Sequence, residues 1–582
     1  MAPGGQRRAV VDGARAPRER PVRYDAPDPA PFLGTAELAQ QLQTACAGAN
    51  GLVLSISHTR YTDIAGGIEL FIADEQSIFN ADRFAYVHIA PSVARLTLDM
   101  SNEQPPPLQV VIDGTFAGLT TSSALAEVLE TLPPDAPPAR VFIIHSIFGH
   151  RAANLAALAA KMRPSVACFW LHDYATICEG YNLLRDDLEF CHAPPLSSTA
   201  CRVCVYGATR ADYLEQIRSL FEAVPFDVLA PSRAALDVWQ RRSQLPHRAM
   251  RVHPHAVFQA APADAAPAGA ADQGMLREPA RIAFVGYPLP HKGWPLFVDL
   301  FAAAHALGPY TFYHFCADGS RMPMTGMISV AAGADRHDRS GMITALAEHG
   351  IELVLVLSPR PETFSYIAHE AFAAGADVVT LACSGNVADA VRAEGRGVVL
   401  RDTAALLRFF TEMDAARYVI AQRAAGPRPG RIVITGTTAT YDPAAVDGDA
   451  DPLTTQDPAL SVIAAGPLLM AERNGDCYRF DLPDGTREVR LVSRFQPPVA
   501  LYAAAERRRA GVAIAHISLD GQEVPIRDPR RASGWHPPVT PSTGWQWTDG
   551  DAILLTPGAH RLEIVVEPKL HYRRCPIGAH PG

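Results

Sequence analysis

Two glutamates eight residues apart, Glu362 and Glu370 in SPRPETFSYIAHEAFAAGADVV, are the strongest chemical signal in the chain. Carboxylates accept hydrogen bonds from hydroxyl groups, and both a sugar and a ribose present such hydroxyls. If the segment is mostly helical, a rise of 1.5 Å per residue sets the two acids about 12 Å apart. That is comparable to the reach from a sugar ring to a ribose across a diphosphate, so one acid would serve each end. Thr363 stands where it would cap such a helix, whose first N–H groups attract negative charge, and Gly375 stands where the helix would end. Alone, the pair reads more readily as two surface glutamates of an amphipathic helix.

Other residues give the pair a context. Lys292 follows the strand-like run RIAFVGY, which contains Gly286, and precedes Gly293. An ammonium group there stabilises a leaving diphosphate, whereas an isolated HKG is more simply a solvated turn. Ser384, Gly385 and Asn386, in the loop CSGNV, are small enough for backbone to approach phosphate or sugar. Gly66 and Gly67 end the loop TRYTDIAGG after the first strand. His172 closes SVACFWLH, where a satisfied structural histidine and a catalytic one are equally consistent with the sequence. Cys178, Cys191, Cys201 and Cys204 lie within 27 residues, which suits a structural zinc ion, although gaps of 12 and nine residues are looser than in a zinc ribbon. Free buried thiols are the alternative, with a redox role a distant third.

The elements that must position these residues follow from hydrophobic rhythm. GLVLSIS, QVVID, RVFIIHS, SVACFWLHD and FDVLAPS alternate with helical patterns, as at 122–132 and in RAANLAALAAKM and RAALDVWQRR. Apolar β-branched runs alternating with helices imply a parallel sheet covered on both faces. A second series follows, with strands RIAFVGY, YTFYHFC, IELVLVLS, ADVVTLAC and GVVL. Two such halves form a cleft between the carboxyl ends of their sheets. Beyond 425 the runs REVRLVSRF, AGVAIAHISLDG, AILL and HRLEIVV alternate with period two, the pattern of an antiparallel β-domain. Its Trp535, Trp545 and Trp547 offer rings for sugar stacking, though packing in a small sandwich is their commoner use.

The expected fold is therefore α/β, with two Rossmann-like domains facing a cleft and a C-terminal antiparallel, sandwich-like β-domain. The expected division is a disordered basic tail and lead-in at 1–45, a first domain at 46–258 with a cysteine-rich insertion at 174–207, and a linker at 259–278. A second domain at 279–425, a linker at 426–458 and a β-rich accessory domain at 459–582 complete it. The chain has 582 residues and a formal charge of −9, so no broad basic footprint for nucleic acid exists. No apolar run approaches the roughly 20 residues of a membrane span. Arg7, Arg8, Arg15, Arg18, Arg20 and Arg23 make the tail basic, which allows contact with anionic lipid, though solvated disorder is the plainer reading. Ten scattered cysteines make no disulfide scaffold, so the cytosol is the expected compartment.

HKG after a strand, PETFSY followed by EAFAAG, and the SGNV loop together resemble the C-terminal half of family 4 retaining glycosyltransferases, whose signature is a glutamate, seven residues and a second glutamate. TDIAGGIE resembles the glycine loop of that family, FWLHDYATICEGYNLLRDDLEFC resembles its HDY segment in enzymes of surface-polysaccharide assembly, and VHPHAV resembles its PH segment. The resemblance spans roughly residues 50–420. It implies a GT-B fold and a sugar transfer from a nucleotide sugar to a glycan or lipid-linked acceptor, at the cytoplasmic face of the inner membrane. It further implies that Glu362 meets donor-sugar hydroxyls, Glu370 the ribose and Lys292 the diphosphate. Gly66 and Gly67 would approach from the opposite domain, Gly286, Ser384, Gly385 and Asn386 would line the donor site, and His172 would lie near the reacting carbon.

The chain departs from the family at Tyr287, where members commonly carry arginine; either Arg360 substitutes or Lys292 serves the diphosphate alone, and if neither does, activity is weak or lost. Retention without a carboxylate nucleophile implies front-face displacement, with no catalytic cofactor or metal. Two other readings share the architecture: a nucleotide-sugar epimerase, against which the HDY–cysteine segment argues, and a catalytically weak GT-B protein that binds glycan.

Overall fold

In a computed structural model of the chain, the described residues are 30–63, 66–93, 95–133, 137–261, 278–317, 324–333, 339–426, 428–436, 438–441, 454–455, 458, 460–464, 468–469, 471–493, 511–537, 544–567 and 572–573. They form two compact units, Met1–Asp447 and Gly448–Gly582. The basic stretch with Arg7 through Arg23 lies outside the described residues.

The first unit holds two Rossmann-like lobes. In the first, strand Gly51–Ile56 is buried throughout, as an apolar run covered on both faces must be. It pairs in parallel with Phe84–Pro91 on one side and Ala139–Ile144 on the other. Val166–Trp170, Asp227–Ala230 and Ala249–Val252 extend the sheet in parallel. The QVVID run departs from the parallel expectation. Leu108–Ile112 runs antiparallel to Phe84–Pro91 and turns back into Thr115–Thr120 through Asp113 and Gly114. Both turn residues have positive φ, 47° and 82°, and Asp-Gly in a two-residue turn matches the twist of an antiparallel hairpin. The result is an eight-stranded sheet with an antiparallel edge.

The second lobe is wholly parallel. Its spatial order is Met327–Ala331, Tyr310–Cys316, Ala280–Val285, Leu353–Val356, Asp377–Leu381 and Gly397–Leu400. The winding reverses between Ala280–Val285 and Leu353–Val356, so the loops leaving their carboxyl ends diverge and open a crevice. In the first lobe the same reversal falls between Gly51–Ile56 and Ala139–Ile144. The two crevices receive Lys292 and Glu362 from one lobe, and His145 from the other.

Three expected boundaries shift. Helix Thr35–Cys46 buries Leu38 and Leu42, so the lead-in before residue 46 is part of the first lobe. Residues 259–260 belong to strand Ala256–Ala260, which pairs antiparallel with Gly430–Ile434, while 262–277 lie outside the described residues. The stretch 426–458, read as a linker from its Gly, Pro and Asp content, thus contains a strand. It also contains the 3₁₀ turn Thr438–Tyr441, whose Tyr441 hydroxyl accepts Trp170 Nε1–H at 3.2 Å in the first lobe. Composition hid these elements because their partners lie far away in the chain.

The second unit places two antiparallel sheets round one core containing Val462, Phe480, Leu491, Ile517, Leu554 and Ile564. Trp535 serves this packing: its indole N–H donates to Ile553 O at 2.9 Å and Arg531 stacks over its ring. Trp545 and Trp547 meet edge to face, with ring centres 5.2 Å apart.

Candidate functional site

Glu362 does not lie on a helix. The helix is Tyr366–Ala373, capped by Ser365, whose Oγ accepts Ala368 N–H at 3.3 Å. Thr363 is therefore not the cap, and the 12 Å helical spacing of the two acids does not apply. Glu362 instead pairs like a strand with the Ser384–Gly385–Asn386 loop: its N–H donates to Ser384 O, and its carbonyl accepts Asn386 N–H, each at 3.1 Å. Gly385 permits this pairing, since its φ is +61° and a Cβ there would sit 2.7 Å from Pro361 Cα. The SGN loop thus holds Glu362 by backbone, while Ser384 Oγ donates to Ser358 O at 2.8 Å.

The Glu362 side chain is buried between two cations. Lys292 Nζ donates to Oε1 at 3.2 Å, and Arg360 Nη2 lies 3.8 Å from Oε2. Burial opposes the charge, but Lys292 and then Arg360 outweigh it and hold the Glu362 carboxyl down at about 2. Lys292 itself is only partly covered, with 36% of its side chain exposed, so its ammonium remains able to meet a ligand. Gly293 fixes its position: φ is +85°, and a Cβ would sit 2.1 Å from Leu357 O. Tyr287, half exposed beside Gly286, adds no positive charge. The Gly286 carbonyl lies 3.0 Å from His314 Nε2.

Glu370 has a different surrounding. It is buried on helix Tyr366–Ala373, and burial pushes its carboxyl up to about 7, with Arg339 pulling only partly back. Arg339 crosses to the first lobe, where it donates to Leu70 O at 3.1 Å and pairs with Asp74.

The lobes also meet beside Glu362. Thr363 Oγ1 donates to His172 O at 2.6 Å, and Tyr174 Oη donates to Pro361 O at 3.1 Å. Gly67, at the start of helix Gly67–Ala81, faces the Tyr366 ring, and Gly66 is the residue before that helix. The His172 ring stacks on Trp170 and packs against Phe71, His145 and His255. Burial, then His255 and His145, keep the His172 imidazole well below its ordinary range, and it is neutral at pH 7. His172 Nδ1 and both ring nitrogens of His255 are buried without a hydrogen-bond partner among the described residues. Sequence reasoning did not single out His145, and it reached His255 only within VHPHAV, as part of the PH segment, without a role of its own. A position at the carboxyl end of a strand beside the winding reversal is the signal that finds His145.

The cysteine segment is a separate place. It contains the hairpin Leu184–Arg185 with Glu189–Phe190 and the turn Thr199–Arg202. Cys178, Cys191, Cys201 and Cys204 all line one small cavity, with Arg210 Nη1 donating to Cys201 Sγ at 3.0 Å. Burial pushes the Cys178 thiol up to about 12. Among the described residues no three Cys, His, Asp or Glu side chains converge closely enough to hold an ion. No described helix is long and apolar enough to cross a membrane.

No family model matches the sequence, and no curated protein matches it. Among solved structures the chain is similar to sucrose-phosphate synthase from Thermosynechococcus elongatus, at 14% identity over 68% of this chain and 96% of that one, with a TM-score of 0.40. It is similar to HepE of Anabaena in complex with UDP-glucose, at 16% identity over 64% and 93%, with a TM-score of 0.38. AviGT4, a glycosyltransferase involved in avilamycin A biosynthesis, is 16% identical over 64% and 91%, with a TM-score of 0.31.

Proposed function

We propose that this chain is a retaining, metal-independent glycosyltransferase of the GT-B type that uses a nucleoside diphosphate sugar. One observation carries the reading: Lys292 and Arg360 flank the ionised Glu362 at the crevice of the second lobe, and the next residue, Thr363, bonds to His172 of the first. Two cations against one carboxylate leave net positive charge for a diphosphate, and Glu362 is left to accept sugar hydroxyls. Front-face displacement then needs no nucleophile from the protein. The bond from the anomeric carbon to the diphosphate oxygen breaks, the acceptor oxygen bonds to the same face, and the departing diphosphate takes the acceptor proton. Lys292 stabilises the charge that develops, and Glu362 fixes the sugar. Glu370 is assigned to the ribose. Gly66, Gly67, Gly286, Ser384, Gly385 and Asn386 are assigned to close backbone approach.

The acceptor we assign is a glycan or lipid-linked saccharide of bacterial surface-polysaccharide assembly, met in the cytoplasm with peripheral contact at the inner membrane. A screen of nucleotide sugars by thermal shift tests the donor, because a ligand at 100 times its dissociation constant adds about 2.7 kcal/mol. No stabilisation by any nucleotide sugar overturns the reading. Tyr287 supports a second one, a catalytically weak protein that binds glycan; donor binding without product formation would favour it. For the four cysteines, a structural zinc ion is proposed from sequence spacing and a shared cavity alone, and it would need the thiols to draw closer than they stand in the described residues. One zinc per chain by elemental analysis supports it, and none leaves buried thiols.

A further inference from the structure

Behind His172 the first lobe carries a chain of buried polar groups that the donor reading leaves unused. Glu75, on helix Gly67–Ala81, and His145, at the end of Ala139–Ile144, are both buried. Glu75 Oε2 accepts the Tyr86 hydroxyl at 2.6 Å and lies 3.1 Å from His145 Nε2, and Oε1 accepts the Tyr441 hydroxyl. His145 Nδ1 lies 3.1 Å from His172 Nε2.

The chemistry of the partners orders the protons. A carboxylate that accepts two tyrosine hydroxyls offers His145 only an acceptor, so His145 Nε2 must carry hydrogen. With one ring proton on His145 the lone pair lies on Nδ1 and His172 Nε2 donates to it, whereas a second proton on His145 would reverse that bond. A neutral His172 is left with a bare lone pair on Nδ1, the atom that is buried without a partner among the described residues. We infer that Glu75 and His145 are positioning residues that hold His172 in its Nε2–H form, so that Nδ1 accepts a hydroxyl of the bound donor sugar. The identity of that hydroxyl rests on the donor reading above; the orientation of the histidine does not.

The direct test is two-bond ¹⁵N–¹H correlation on the full chain with labelled histidine rings, the His172 signals being assigned with His172→Asn. The expected result is a bare Nδ1 and a protonated Nε2 in the ligand-free protein. A protonated Nδ1 overturns the inference. Glu75→Gln can donate to His145 Nε2 and reverse the chain, so it is expected to move the proton of His172 to Nδ1. With turnover in hand it lowers kcat about a hundredfold or more, as an inverted tautomer does elsewhere, while affinity for UDP stays within threefold. Should this variant fail to fold, or present its amide oxygen to His145 and keep the wild-type tautomer, the wild-type spectrum decides alone. UDP-glucose is added as the first sugar-nucleotide probe, with UDP as its control. A shift of Nδ1 with UDP-glucose and not with UDP supports the hydroxyl contact, and binding of UDP-glucose without that shift refutes it. If no nucleotide sugar binds, the donor reading fails, and the relay is still judged by the tautomer.

Discussion

The two faces of the cleft solve opposite electrostatic problems. The second-lobe face is ionic, with Lys292 and Arg360 on a carboxylate held at about 2. The first-lobe face is a stack of rings, His172, His145, His255, Trp170 and Phe71, in which burial keeps His172 and His255 uncharged. A diphosphate carries fixed charge and needs cations, whereas a sugar carries hydroxyls and needs neutral acceptors in dry surroundings. Under the proposed function, this difference would place the charged end of a donor at the second lobe and its hydroxyls at the junction. The two glutamates repeat the contrast within ten residues, since Glu370 has only the distant help of Arg339 and rises to about 7.

Mutations at these groups break or sharpen that contrast. Glu362→Ala leaves Arg360 buried without its carboxylate and should cost about 3–5 kcal/mol in urea unfolding, with activity lost as well. Lys292→Ala removes the exposed cation and should lower kcat/KM about 10²- to 10³-fold, with less loss of stability than Glu362→Ala. Calorimetry should show UDP binding weakened in parallel.

The third change reads pH. Glu370 titrates higher in the folded chain than the ordinary 4.5, so its contribution to stability is full below about 4.5 and is lost as pH rises through about 7. Glu370→Gln removes that loss, so its stability relative to the native chain should rise between pH 5 and 8, by at most about 3 kcal/mol. A flat difference across that range would show that Glu370 is not desolvated. Tyr287→Arg should have the smallest effect. A cation beside Gly286 is expected to tighten UDP binding about fivefold, or about 1 kcal/mol; no gain would mean that Arg360 already serves the diphosphate.

Much of this was readable in the residues. The β-branched runs before Gly286 and Ser358 became strands of a parallel sheet because a segment covered on both faces has to be apolar throughout. Lys292 and Glu362 stood out by lying just after such runs. The antiparallel turn at Asp113-Gly114 carried a readable hairpin signal that the apolar run before it masked. Thr363 was misplaced because a hydroxyl before a helical pattern looks like a cap, while pairing with the SGN loop kept Glu362 and Thr363 extended. Helix Asp414–Ala425 has little apolar period and left no comparable trace.

The amino-acid order by itself determined the two α/β lobes, the β-domain and the residue types at the second-lobe crevice, because hydrophobic period and strand-end position are local properties. Only the tertiary structure decided that Glu362 sits between Lys292 and Arg360, that Thr363 reaches His172, and that Glu75 lies behind His145. Those contacts join groups separated by as many as 191 residues, and a glutamate on an amphipathic helix looks the same in sequence whether it faces water or a buried imidazole.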